Sequence, residues 1–402
     1  MIGALAVAAL LLSFAPRDAV GPAWMLAVLG LLALVWVLWQ PRTSVRDDAM
    51  PALAVVLAAL GLTMVARLSP ALAHRQQLWL LLSLALAIAA GPVFTHFRRF
   101  AAYKYLWVVA SLALFVMLIL FGEEINGARL WIRIGPVQYE PIELIKLFIV
   151  LFLAAYLAEM ADVIAASRPW SLRANVKYLG PLFVGWGASM AILVVQRDLG
   201  MATLLLATFA ALLFVATRRA DIVLFGAVLF ALGAFWAVHH YPYVHTRIDM
   251  WLHPFSDPLG AGYQSSQAYY SLAAGGLAGT GFRLGHPEFI PDVATDYIYA
   301  AFSEEFGVVG AIVVLGIFLD LVRRMFAAGL EQPDLYTKLL ATGLAATLGF
   351  QVVIIVAGVI GLLPLTGITL PFISYGGSSL VANFLLVALV WAISARPRRR
   401  TA

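Results

Sequence analysis

The sequence has no cysteine and little charge, and both shortages narrow what the protein can be. Without cysteine among its 402 residues, neither a disulfide framework nor a thiolate metal site is possible. Charged residues make up 12% and hydrophobic residues 63%, whereas soluble domains are roughly a quarter charged and half apolar. The composition therefore indicates a polytopic membrane protein. Membrane topology explains the net charge of +5 without a nucleic-acid partner.

Other signals are also missing. No Lys/Arg-rich stretch precedes the first apolar run, so we expect no cleaved signal peptide. There is no phosphate-binding Walker motif and no Gly-x-Ser-x-Gly elbow. The histidines of the central region do not form an i, i+4 pair on one defined element, which argues against zinc; they are His239, His240, His245 and His253.

Apolar runs fill most of the chain, and a membrane span needs roughly 20 apolar residues. On that basis we predict twelve candidate segments: about 2–15, 21–40, 51–67, 77–95, 103–121, 143–160, 179–195, 199–216, 221–239, 297–325, 336–361 and 377–395. Lys and Arg concentrate in alternate connections and in the C-terminal tail, which predicts that these are cytoplasmic. The longest connection, 240–296, is then predicted to lie on the extracytoplasmic side of the membrane.

That long segment, Tyr241–Asp296, is predicted to lack helical periodicity, and loops of such length are usually functional or disordered. It contains Asp257-Pro258, which in isolation is an ordinary turn signal. We take Asp257 as the candidate for chemistry. The glycine-rich run Gly275–Gly281 has two open explanations, sugar binding or folding of the segment.

A second polar cluster surrounds Pro141, which suits a first helical turn. Glu143 and Lys146 are three residues apart on one helix face, with room to pair. The pair is either a structural ion pair in the bundle or a site at which Lys146 meets an anionic group. Charged residues at membrane spans are rare enough to suggest function.

Two further polar groups border helices. Asp198, within Gln196-Arg197-Asp198-Leu199-Gly200, is either a helix N-cap or part of a functional cluster. Thr295-Asp296 indicates a helix start. Glu304-Glu305 follow two turns later, and we favour a structural role for them over cation binding.

Taken together, these clusters resemble the SEDS family (shape, elongation, division and sporulation) of RodA- and FtsW-type peptidoglycan glycosyltransferases. Six segments resemble family motifs in family order: Asn126–Ile132, Tyr139–Lys146, Gln196–Ala202, Asp257–Gln267, Phe289–Gly307 and Leu363–Ser378. The departures are Leu130 for a second Arg, Glu140 for Gln, Ile142 for Ser, Arg197 for Pro and Met201 for Thr.

The resemblance implies an all-α polytopic membrane protein with a ten-helix core. Residues 49–402 would form this core, and 1–48 would add about two N-terminal transmembrane helices. It also implies an enzyme of the bacterial cytoplasmic membrane that polymerises lipid II into glycan strands on the outer face. Asp257 would be the general base, and the implied substrate-binding residues are Lys146, Glu143, Arg129, Arg133, Asp198, Arg197 and Gln264.

The same resemblance allows a divalent cation, Mg²⁺ or Mn²⁺, and implies no organic cofactor. The expected partners are lipid II, the nascent glycan strand, membrane lipid and a class B penicillin-binding protein that crosslinks the strands. Two other functions stay open. A lipid II flippase predicts that Glu143 and Lys146 line a path across the membrane, and a non-catalytic scaffold predicts that all three clusters tolerate neutral substitutions.

Overall fold

The structure is a computed structural model that describes residues 44–125, 128–135, 137–166 and 197–397, together with residues 180 and 187. It is mainly helical, as predicted. Its longer helices are α1 (Ala49–Leu68), α2 (Pro70–Phe94), α3 (Lys104–Phe121), α4 (Ile142–Ala166), α5 (Leu199–Thr217), α6 (Ala220–His240), α9 (Ile298–Leu330), α10 (Leu335–Val359) and α11 (Gly377–Ile393). Two shorter helices, α7 (Pro242–Leu252) and α8 (Tyr263–Gly275), lie between α6 and α9.

Eight helical segments of the described chain are long and apolar enough to cross a membrane, and α11 is a shorter apolar helix. Nine of the twelve predicted segments fall on described residues, and each of the nine coincides with a helix. The predicted segments at 2–15 and 21–40 lie outside the described residues, as do all but residues 180 and 187 of the segment at 179–195 and most of the predicted N-terminal extension.

The connection between α6 and α9 differs from the prediction of a segment without helical periodicity, which was wrong. It contains α7, α8 and a 3₁₀ turn at Pro287–Phe289. Both helices are too short to cross a bilayer. Each helix has a buried residue on its surface, Val244 on α7 and Ala268 on α8, and such burial stabilises short helices.

A small sheet is the second feature that the sequence analysis missed. Strands β2 (Glu123–Ile125), β3 (Ala128–Ile134) and β4 (Val137–Tyr139) form an antiparallel meander between α3 and α4. Gly135, at φ 62°, makes the turn between β3 and β4. A two-residue pairing also joins β1 (Ser44–Val45) to β5 (Arg396–Pro397).

The described residues belong to two compact units. The described residues of the first unit are 44–95, 246–325 and 351–397. In it, α11 packs on α1 and α2, and α11 is buried along nearly its whole length. The second unit comprises His96–His245 and Phe326–Phe350, with α4 packed against α3 and α5.

The segment between α10 and α11 is irregular, as the prolines and glycines of residues 362–376 predict. Its backbone is satisfied inside the first unit. Gln76 of α2 donates to the Ser374 carbonyl at 3.0 Å and accepts from the Gly376 N–H at 3.2 Å. A Cβ atom at Gly61 would lie 2.5 Å from the Ile373 backbone. Irregular backbone at membrane depth requires such burial in protein.

Candidate active site

Asp257 lies in a tight turn between α7 and α8 that fixes the position of its carboxylate. Its Oδ2 atom accepts a hydrogen bond from the Ala261 N–H at 2.9 Å. A Cβ atom at Gly260 would lie 2.2 Å from the same Oδ2 atom, so a larger residue there would displace the carboxylate. The Asp257 side chain is exposed. An exposed carboxylate held in one orientation is suited to accept a proton from a bound hydroxyl.

The second glycine of this motif has its own steric reason. A Cβ atom at Gly262 would lie 2.6 Å from the Pro254 carbonyl oxygen. That same oxygen accepts a hydrogen bond from the Ser266 hydroxyl at 2.8 Å. The turn is thereby fastened to the first residues of α8. The spacing of the D-P-x-G-x-G segment therefore follows from close packing at both glycines, against the Asp257 side chain at Gly260 and against backbone at Gly262.

A cavity of about 160 Å³ adjoins this turn within the first unit. Ala261, whose N–H holds the Asp257 carboxylate, is one of its lining residues. The cavity brings together parts of three motifs that are far apart in the sequence. These are the start of α8, the residues before α9, and the segment after α10. The polar and aromatic lining residues that matter below are Arg247, Trp251, Gln264, Tyr269, Asp296 and Tyr297.

Asp296 and Arg247 are the charged groups of the cavity. A Cβ atom built on Gly367 would lie 3.7 Å from Asp296 Oδ2 and 3.8 Å from Arg247 Nη2, so both groups border one space. Burial, supported by the charge of Asp292, raises the pKa of Asp296 to about 6. The opposing hydrogen bond from Thr295 and the charge of Arg247 are smaller influences.

Several lining side chains are fixed by hydrogen bonds to backbone carbonyls. Arg247 Nη1 donates to Thr366 at 3.3 Å, and the Trp251 indole N–H donates to Gly361 at 2.9 Å. Gln264, predicted to bind substrate, lines the cavity and donates from Nε2 to Pro291 at 2.9 Å. The cavity wall is therefore largely preformed.

The glycine-rich run packs on a kink in α9 at Gly307, where φ is 67° and ψ is −173°. Four backbone hydrogen bonds cross between run and kink: Thr280 N–H to Glu304, Gly281 N–H to Glu305, Val308 N–H to Gly276 and Val309 N–H to Leu277. A Cβ atom at Gly279 would lie 2.2 Å from the backbone carbonyl oxygen of Glu305. The run supplies partners for backbone groups at the kink, which gives it a structural role.

Glu304 and Glu305, both buried, hold the segment at Gly285 and His286 in place. Glu304 Oε1 accepts from the His286 N–H at 2.7 Å. Glu305 Oε1 accepts from Arg67 Nε at 2.8 Å, and Arg67 Nη2 also donates to the Gly285 carbonyl at 2.8 Å. These hydrogen bonds give Glu304 and Glu305 the structural role that we expected from the sequence.

In the second unit, Glu143 and Lys146 pair within the first turn of α4, and the predicted pairing is confirmed. Lys146 Nζ lies 2.5 Å from Glu143 Oε2, and both side chains are buried. Removing two charges from water costs several kcal/mol per ion unless they compensate one another. Burial and the nearby charges of Glu143 and Glu140 raise the pKa of Tyr139, so its hydroxyl keeps its proton.

The two predicted arginines of the first motif lie on β3. Arg133 is exposed and forms an ion pair with Glu123, with Nε 3.0 Å from the carboxylate. Arg129 pairs in register with Glu124 of β2, and its side chain lies outside the described part of the chain. β2 and β3 thus place acidic and basic residues on adjacent strands.

Asp198 is buried and is the N-cap of α5, because its side chain accepts a hydrogen bond from the Met201 N–H at 2.9 Å. Arg197 precedes it with φ 64°. The Arg197 side chain is exposed, and its guanidinium lies 5.5 Å from the ring centroid of Tyr243. The capping role is therefore observed at Asp198.

The predicted site residues are thus divided between the two units. Asp257 and Gln264 belong to the first unit, and the others belong to the second: Lys146, Glu143, Arg129, Arg133, Asp198 and Arg197. Across the described residues, no group of three His, Cys, Asp or Glu side chains is arranged to hold a metal ion. His239 and His240 instead contact carbonyls of their own helix.

A family model for the FtsW, RodA and SpoVE cell cycle proteins matches residues 48–399. The match includes both units and all six motifs. The chain belongs to this family. The peptidoglycan glycosyltransferase RodA of Mycobacterium tuberculosis is 34% identical over 415 aligned positions, which cover 98% of this chain and 88% of that relative.

Solved structures of family members share the fold. A chain of a structure described as "Structural coordination of polymerization and crosslinking by a peptidoglycan synthase complex" superposes with a TM-score of 0.71 at 32% identity, covering 87% of this chain and 97% of its own length. The Rod shape determining protein RodA of Thermus thermophilus superposes with a TM-score of 0.64 at 30% identity. The superposition covers 87% of this chain and 96% of that protein.

Arg247 and Trp251 were not identified as site residues from the sequence of this SEDS protein, and Asp296 was identified only as part of a helix start. A weak signal was present, since a charged residue bordering a span is a functional candidate by default. Arg247 and Trp251 lie four residues apart in Thr246–Trp251 and so share one helical face of α7. That face was invisible because α7 itself was not predicted.

Proposed function

We propose that this protein is a peptidoglycan glycosyltransferase that polymerises lipid II, as its family membership supports. The observation that carries the chemical assignment is the Asp257 turn. There an exposed carboxylate is oriented by the Ala261 N–H and has space only because residue 260 is glycine. Glycosyl transfer needs a group that removes the acceptor hydroxyl's proton, and this carboxylate supplies one.

The reaction joins two lipid-linked substrates. The acceptor sugar hydroxyl attacks the anomeric carbon of the donor, the bond from that carbon to the pyrophosphate breaks, and Asp257 takes the hydroxyl proton. The electron pair of the broken bond leaves on the lipid pyrophosphate. Because a single displacement occurs, the donor's anomeric centre is inverted. The apolar helices provide the lipid-facing surface for the polyprenyl tails.

Positive charge must stabilise the departing pyrophosphate. Among the predicted cations with described side chains, Arg133 and Arg197 are exposed and accessible to an anion. Lys146 is fully buried and paired with Glu143. We therefore assign direct anion contact to the exposed arginines. Lys146 and Glu143 hold the start of α4, which follows β4, the strand paired with the β3 strand that carries Arg133.

A divalent cation has no preformed protein site among the described residues, since no group of three suitable side chains is present there. The donor set thus does not fit a resident metal, and no step of the mechanism is routed through one. Mg²⁺ commonly binds substrate phosphates with only one or two carboxylates. Polymerisation measured with Mg²⁺, with Mn²⁺ and with a chelator tests whether a divalent cation takes part.

The side of the membrane and the partner are further parts of the proposal. The distribution of Lys and Arg supports an extracytoplasmic location for Asp257 and the cavity. The solved relative belongs to a complex that coordinates polymerisation and crosslinking. We accordingly propose a class B penicillin-binding protein as partner, with the glycan strand as the shared intermediate.

The test compares purified wild-type protein with Asp257→Asn in a lipid II polymerisation assay. We expect Asp257→Asn to lose polymerisation and to melt at the wild-type temperature. Asp292→Asn is the matched control, because Asp292 is an exposed aspartate of the same segment at φ 50°, a conformation that asparagine also tolerates. Normal polymerisation by Asp257→Asn would exclude this residue as the base. Activity in none of the proteins would favour a flippase or a scaffold.

A further inference from the structure

We propose that the cavity beside the Asp257 turn binds one neutral sugar ring of the glycan substrate, with Arg247 and Asp296 as its hydrogen-bonding groups. This inference rests on the proposed function, since it names the part of the substrate that the first unit holds. The cavity lies entirely within that unit.

The pair of opposite charges selects against charged ligands. A phosphate that contacts Arg247 would also meet the Asp296 carboxylate, and a metal ion bound to Asp296 would meet the Arg247 guanidinium. Both groups lie within 4 Å of the Cβ position of Gly367. A neutral ligand with several hydroxyl groups suits both at once, because it donates to the carboxylate and accepts from the guanidinium.

The aromatic side chains provide the apolar part of a sugar site. Trp251 is fixed by its hydrogen bond to Gly361. Tyr297, whose hydroxyl lies 3.1 Å from that of Ser265, is also held. Rigid aromatic walls with a few placed polar groups are typical of small-molecule sites. An amide, Gln264, adds a group that can accept from a hydroxyl or an acetamido N–H.

The volume limits what enters. At about 160 Å³, the cavity is smaller than the roughly 300–1,000 Å³ of sites for drug-sized ligands. It therefore suits a single ring better than a whole lipid-linked disaccharide. Its position beside Ala261 places that ring next to the residue whose N–H holds Asp257. The ring bound there is accordingly adjacent to the proposed base.

The test uses a variant that fills the cavity without removing a polar group. Ala261 is exposed and lines the cavity, so Ala261→Leu reduces the space and retains the backbone N–H. The probe is N-acetylglucosamine, whose binding to the full-length protein in nanodiscs is measured by saturation-transfer NMR. We expect wild-type protein to bind the sugar. Ala261→Leu should bind it at least tenfold more weakly, and Asp296→Asn at least threefold more weakly. Asp292→Asn should bind as wild type.

Two competing ligands separate the alternatives. Inorganic phosphate and Mg²⁺ should not displace the neutral sugar, and displacement by either would show that the cavity binds a charged group instead. In the polymerisation assay, Ala261→Leu should raise KM for lipid II about tenfold while kcat changes less than threefold. A loss confined to kcat would contradict a binding role.

The binding measurement does not depend on turnover, so the two proposals can fail separately. Unchanged sugar binding by both Ala261→Leu and Asp296→Asn would overturn this inference even if wild-type protein polymerises lipid II. Cavity-dependent sugar binding by a protein without polymerase activity would support the cavity and overturn the proposed function. A melting temperature within about 3 °C of wild type for Ala261→Leu, and one no lower than wild type for Asp296→Asn, would show that the fold is intact, since about 1 kcal/mol shifts Tm by only a few degrees.

Discussion

Gly260→Ala tests how strictly the Asp257 carboxylate is placed. The added Cβ atom would lie 2.2 Å from Oδ2, 2.7 Å from Oδ1 and 2.8 Å from Cγ of Asp257. The carboxylate must rotate away, which breaks its 2.9 Å hydrogen bond from Ala261. A hydrogen bond to a charged group contributes about 1.5–3 kcal/mol. If that energy orients the base, polymerisation should fall roughly 10- to 100-fold.

The assay is lipid II polymerisation by purified protein, with thermal melting as the check on folding. Gly316→Ala is the matched control, since a Cβ atom at Gly316 meets nothing within 4 Å. This control should keep full activity, and alanine within α9 should stabilise the helix by about 0.5–1 kcal/mol. Wild-type activity in Gly260→Ala would refute the idea that this turn orients the reactive group. Loss of folding in Gly260→Ala would instead show that the turn is structural.

Three further predictions concern stability. Either Glu143→Gln or Lys146→Met should destabilise the protein by about 3–5 kcal/mol, because each removes one charge of a buried ion pair. The double variant should lose less stability than the two single variants lose together. Additive losses in a double-mutant cycle of thermal unfolding would disprove the coupling between the two residues. Gly279→Ala should lower the melting temperature, because the added Cβ atom would lie 2.2 Å from the Glu305 carbonyl oxygen and the φ of residue 279 is +84°. An unchanged melting temperature would contradict the packing of the glycine-rich run on the kink. Since the pKa of Asp296 is raised from 3.8 to about 6, the native state holds more protons than the unfolded state between these values. Stability should therefore fall as pH rises through that window, by at most about 3 kcal/mol. Asp296→Asn should abolish this pH dependence and melt higher than wild type at pH 7, and an unaltered pH profile would show that Asp296 does not titrate as described.

The helices were predictable because membrane spans are specified locally. A run of about 20 apolar residues is sufficient to define a span, whatever lies beside it. The predicted segment at 143–160, for example, lies within α4, which extends to Ala166. The Glu143–Lys146 pair was also predictable, since a three-residue spacing on a helix fixes which side chains are neighbours.

The small sheet and the helices α7 and α8 were not predictable by the same means. Each is short, and its stability depends on contacts with residues distant in sequence. Helices of this length are marginal in water without tertiary packing. Arg133 was therefore assigned to a polar cluster without the strand that places it beside Glu123.

By itself the sequence determined the membrane class, the helix positions, the family motifs and Asp257 as the candidate base. These follow from composition, local periodicity and motif order. Only the tertiary structure decided why Gly260 and Gly262 are glycines, that Gly275–Gly281 packs on the kink at Gly307, and that Arg247 and Asp296 share a cavity. Such features depend on close approach between different segments of the chain, and local sequence patterns do not specify the distances between such segments.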